Sequence, residues 1–258
     1  MELEHLPNRR RFLLAPVAMA VGCSRVRADR TSPAGTIVVS GLIATFSVDY
    51  PRPLESVVYT FVQEYGWLIT FEEAPVMYSG DMIDVTVNPS VGIRAYNPRG
   101  GRLEFSYRLR QAGRPPEDPM PVLKAAIEAH HRAGFPGCYE VVQVGGFFHI
   151  VPTAHYNERG VLELVQSPLD ALVTVDGGGR PSWPFFNDLV RAVERSSGYR
   201  ILIGHNPFYQ GDQPTIGQRF KNVQARTILR ALIQAAGKPR RWYLLSVPGQ
   251  RQYALSIV

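Results

Sequence analysis

The sequence predicts an α+β protein built as two tandem small modules, each a small mixed sheet with two helices on one face, in the order strand-helix-strand-strand-helix-hairpin. Three observations carry this expectation. Apolar residues recur at helical spacing in segments that end on glycine, alternating stretches follow those segments, and the whole pattern returns after a fixed interval. With 258 residues and 45% hydrophobic content, the chain can bury two small cores.

The N-terminus reads as an export signal. Arg9, Arg10 and Arg11 precede an apolar run from Phe12 to Gly22. That run is too short to cross about 30 Å of hydrocarbon but suits the core of a signal peptide, so residues 1–22 are assigned to one. Arg9, Arg10 and Phe12 resemble the twin-arginine pattern, which is left at Asn8 and Leu14. Ala20-Val21-Gly22-Cys23 resembles a lipobox and makes Cys23 a lipidation candidate, while Ala18-Met19-Ala20 fits ordinary cleavage equally well. Residues 23–44 are expected to be a flexible tether. The expected location is the periplasm, either free or as a membrane-anchored lipoprotein, with no transmembrane span in the mature chain.

The first module is expected over residues 45–152. Leu54, Val57, Val58, Phe61, Val62 and Tyr65 form one helical stripe that Gly66 ends; Trp67, Ile69 and Phe71 then alternate until Pro75. A shift of 132 places this stretch on Phe186, Leu189, Val190, Val193, Gly198, Tyr199, Ile201, Ile203 and Pro207. The closing half recurs at 103, pairing Gly134 with Gly237, Tyr139 with Trp242, Val141 with Leu244 and Gly146 with Gly249. The two offsets differ by 29, so the first copy carries about that many extra residues within 76–120. Polar residues from Thr153 mark a linker over 153–169, and the second module is expected over 170–258.

FSVDYPRPLESVVYTFVQEYGWLITFEE resembles the opening of the short domain at the N-terminus of secretins and TonB-dependent receptors, the STN domain, and ARTILRALIQAAGKPRRWYLLSVPGQRQYALSIV resembles its closing half. Two copies would cover nearly all of residues 45–258, with no barrel or secretin pore following. The resemblance implies periplasmic docking and signalling, and it brings no catalytic residue.

The residues themselves show no motif that names a reaction, and no cofactor or metal is expected. His130-His131 point about 100° apart on a helix and cannot chelate together; a half-buried ring beside a solvated one is expected. Glu72-Glu73 face opposite sides of a strand and are read as a solvated strand end. Cys138 is read as a small buried thiol. Gly177-Gly178-Gly179-Arg180 lacks the continuation of a phosphate loop and is read as a flexible turn.

Charge is more informative. Residues 36–169 carry 10 basic against 14 acidic side chains, whereas residues 170–258 carry 12 against 5. Arg191, Arg195, Arg226, Arg230, Lys238, Arg240 and Arg241 form the candidate basic interaction face. Export argues against nucleic acid, which leaves an envelope protein or an anionic cell-wall or lipid surface as the partner. The expected function is non-catalytic binding. The alternative is a periplasmic hydrolase or polymer-modifying enzyme with a cleft between the modules, lined by Asp81, Asp84, Glu104 and His149.

Overall fold

The structure is a computed structural model describing residues 34–258, apart from 89–91, 93, 112–113, 210–213 and 238–239. Arg9, Arg10, Phe12, Cys23 and Lys238 lie outside the described residues. The described residues form one compact unit.

In chain order the elements are β1 (Thr36–Ser40), β2 (Ile43–Tyr50), α1 (Pro53–Tyr65), β3 (Ile69–Glu72), β4 (Met82–Asp84), β5 (Tyr96–Pro98), β6 (Gly101–Arg108), α2 (Pro119–Arg132), β7 (Cys138–Val144), β8 (Phe147–Tyr156), β9 (Leu162–Leu164), β10 (Leu172–Asp176), β11 (Arg180–Pro181), α3 (Ser182–Ser197), β12 (Arg200–Ile203), β13 (Thr215–Ile216), β14 (Arg219–Gln224), α4 (Ala225–Ala235), β15 (Trp242–Ser246) and β16 (Gln252–Ile257). The protein is α+β. The order strand-helix-strand-strand-helix-hairpin occurs as β2-α1-β3-β6-α2-β7-β8 and again as β10-α3-β12-β14-α4-β15-β16. The 29-residue excess of the first half supplies the antiparallel pair β4–β5.

The helix ends show why the repeat was legible. Gly66 and Gly198 close α1 and α3 in the left-handed region, at φ 68° and 73°, and return their N–H groups to Val62 O and Glu194 O. The matched stripes are buried in both halves: Leu54, Val57, Val58 and Phe61 on α1, and Phe186, Leu189, Val190 and Val193 on α3.

The sheets depart from expectation. Instead of two separate small sheets there is one central sheet in the order β12-β16-β15-β3-β8-β7, with β9 pairing beyond on β8. In the first half β3 runs parallel to β8, which is antiparallel to β7; in the second β12 runs parallel to β16, which is antiparallel to β15. The triplets meet where β15 lies parallel to β3, with Tyr243 opposite Phe71 and Leu244 opposite Glu72. Since β15 and β3 are the last and first strands of their triplets, the halves are joined head to tail.

This junction places the two helix pairs on opposite faces. On β15, Trp242 and Leu244 enter the core of α3 and α4, whereas Tyr243 packs into the core of α1 and α2 with Phe71 and Ile150. Each helix pair also meets a second sheet, β1-β2-β6 for α1 and α2 and β10-β14 for α3 and α4, so it is not confined to the single sheet face expected. A helix with a wide apolar stripe can bury it on two sides only if both are covered.

Two boundaries are corrected. Thr36–Ser40, expected in the tether, is β1 and pairs with β2 in register. The expected linker begins inside β8, which runs on to Tyr156, and β9 returns on it with Leu164 opposite Ala154. Among the described residues no helix is long and apolar enough to cross a membrane.

Candidate functional site

The head-to-tail junction is short in backbone terms, so its side chains matter. Glu72 and Glu73, read as a solvated strand end, are instead buried, at 0% and 4% exposure. Their alternation was read correctly, but β15 covers what a free strand end would expose. Glu72 points toward α4 and accepts hydrogen bonds from Arg226 Nε at 2.8 Å, Arg226 Nη2 at 2.7 Å and Trp242 Nε1 at 3.2 Å. Arg226 Nη1 also donates to Asp170 Oδ1 at 2.6 Å. Burial opposes ionisation of Glu72, but the guanidinium outweighs it and holds the carboxyl below its ordinary range.

Glu73 takes the opposite face. Arg52 Nε donates to both of its oxygens at 3.1 Å, Ser246 N donates to Oε2 at 2.8 Å, and Arg52 Nη2 reaches Ser246 O at 3.0 Å. Burial outweighs Arg52 here and raises the carboxyl. Two neighbouring carboxylates thus tie the halves together from the two faces of one sheet.

Beside this junction, an open cleft of about 820 Å³ lies between the outer face of β7–β8 and the side of α4. Glu140, Val142 and Val144 of β7 form one wall, and Arg226, Thr227 and Arg230 of α4 form the other. Its apolar rim is exposed, Leu164 by 90%, Leu172 by 54% and Val144 by 39%. Arg230 Nη1 reaches across toward the β7–β8 turn, 3.3 Å from where a Cβ on Gly145 would stand. At the base His149 hydrogen-bonds Thr70 Oγ1 through Nδ1 at 2.7 Å and stacks on Trp242 at 5.2 Å. Burial lowers its pKa to about 4, with Glu72 opposing and Arg226 and Arg230 adding. Among the described strands, β7 pairs only with β8, which leaves its other edge open beside the cleft.

The expected basic face does not form one surface. Arg226 is buried in its ion pairs, Arg230 enters the cleft, Arg191 and Arg195 are exposed on α3, Arg240 sits over the Phe208 ring at 5.3 Å, and Arg241 donates to Tyr243 OH. The residues of the hydrolytic alternative are not gathered either. Asp81 faces Arg99 at 3.6 Å, Asp84 pairs with Arg94, Glu104 with Arg102, and His149 alone lines the cleft. His130 is buried rather than half-buried, set edge-on against Phe135 and Tyr139, while its neighbour His131 is exposed, the solvated ring expected. Cys138 is a partly buried free thiol.

Sequence reasoning missed the Glu72–Arg226–Asp170 triad, because its members lie up to 154 positions apart. The available signal was the break in the repeat: Glu72 and Glu73 align with Gly204 and His205. Searches of protein-family models, curated proteins and solved structures return no match for this chain.

Proposed function

We propose that the protein is a non-catalytic, exported envelope component whose two STN-like modules act as one rigid receiving surface, and that an envelope protein docks an extended segment along the open edge of β7. The observation that carries this reading is the unpaired β7 edge bordering a cleft whose rim exposes Leu164, Leu172 and Val144. An added strand would satisfy the free backbone groups of β7, and alternate side chains would fall over the cleft. Arg230 favours a carboxylate in the segment that docks, in keeping with the basic second half.

The test is site-specific photo-cross-linking in the native host. A probe at Val144 or Leu164 should capture one defined protein, and a probe at exposed Lys221 should not. Val144→Glu and Leu164→Glu should reduce recovery of that protein at least tenfold without changing the melting temperature. Equal capture at all three positions, or none at Val144 and Leu164, would reject the reading. Export is tested separately by intact mass: cleavage after Ala20, or an acylated Cys23 as first residue, supports it, and an unprocessed chain overturns it.

A further inference from the structure

The β1–β2 hairpin ends in Val38-Val39-Ser40-Gly41-Leu42-Ile43, six consecutive exposed residues. Four are large and apolar, with Val38 60%, Val39 46%, Leu42 42% and Ile43 47% exposed. Nearer the body, the same hairpin behaves as a half-buried sheet: Ala44 and Phe46 are fully buried against α1 and α2, and intervening residues face outward. At the tip that alternation is lost, and both faces are apolar.

The turn does not require this composition. Ser40 pairs with Ile43, and Gly41 at φ +62° supplies the one conformation that a two-residue turn of this kind demands. Leu42 stands where a polar residue would serve equally well. Behind the tip, Ile43 lies opposite Arg108, Leu109 N bonds to Leu42 O, and Arg110 and Arg114 follow, all three arginines exposed. Glu117 pairs with Arg110, so Arg108 and Arg114 leave the collar basic.

We propose that this hairpin tip is a membrane-contact element that seats its four apolar side chains in an anionic phospholipid surface, with the arginine collar at the headgroups. A narrow convex tip suits shallow insertion into lipid, where apolar residues enter the acyl boundary and cations meet anionic headgroups. It suits a protein interface less well, because specific interfaces bury on the order of 1,000 Å² or more. Cys23 stands thirteen residues before Thr36, close enough along the chain for an acyl anchor there to hold the tip near the same surface. The inference is independent of the docking cleft.

The test uses the full chain with vesicles of phosphatidylglycerol and phosphatidylcholine, and with phosphatidylcholine alone. Because the N-terminal apolar run can itself adsorb to lipid, the readout is positional. The added emission of Leu42→Trp should shift to the blue and be quenched by brominated lipid in the anionic vesicles. Val161→Trp, at a similarly exposed site on the β8–β9 turn, should show neither effect. Changing Val38, Val39, Leu42 and Ile43 together to Ser should weaken vesicle partitioning at least tenfold, and Arg108→Gln with Arg114→Gln should remove the preference for anionic lipid. Unchanged emission from the Leu42→Trp chain, equal quenching in the Val161→Trp chain, or a shift produced only by a co-purifying protein would overturn the proposal.

Discussion

Glu72 of the first half and Arg226 of the second are joined by two hydrogen bonds, at 2.8 and 2.7 Å, beside the strand pair that unites the central sheet. Glu72 has no solvent exposure, so the pair cannot be opened without stranding a charge. Arg226→Met should therefore cost about 3–5 kcal/mol in urea unfolding, and Glu72→Leu in the same chain should recover most of that loss. A cost below about 1 kcal/mol would mean that water reaches the carboxylate.

The shared sheet predicts that the halves unfold together. Leu244→Ala should cost about 2–5 kcal/mol, because Leu244 is fully buried on the strand that both cores use. Amide exchange should then accelerate in α1 as well as in α3. Faster exchange in α3 alone would show that the junction transmits no stability.

Gly66 and Gly198 occupy matching left-handed positions with open space where a Cβ would stand. Alanine at either should cost about 1–2 kcal/mol from backbone strain alone. The two losses should be alike and additive in denaturant melts, since the sites lie in different cores.

Glu55, in the first turn of α1, has its pKa raised to about 7 by burial, with Arg52 opposing and Glu73 adding. Its ordinary value is 4.5, so between 4.5 and 7 the folded chain holds a proton that the unfolded chain has released. This group stabilises most at low pH, and its contribution falls as pH rises to 7. Glu55→Gln should flatten that limb, as read from melting temperatures at pH 5 and 8; an unchanged limb would assign the titration elsewhere.

His130 works in the opposite sense. Burial, with His131 adding, lowers its pKa to about 3 from 6.5, so the fold favours the neutral ring. That contribution is complete above pH 6.5 and is lost progressively as pH falls toward 3. His130→Ile, the residue found at the matching position 233, should weaken the acid sensitivity between pH 6.5 and 4. Identical acid curves for both chains would place the sensitivity elsewhere, for instance at His149.

The sequence alone determined the order of the elements repeated in the two halves, both helix-closing glycines, the buried stripes of α1 and α3 and the site of the insertion. Each of these is local, written in spacings of two to four residues or in a shift that compares the chain with itself. Tertiary structure decided what each strand edge meets. The pairing of Leu244 with Glu72 joins positions 172 apart, and no periodicity in either strand specifies it. That choice buried two carboxylates that a free strand end would have left in water, drew Arg226 out of the expected basic face, and opened the cleft beside β7. Alternation states which way a side chain points, and only the neighbouring strand decides whether water or an arginine is waiting there.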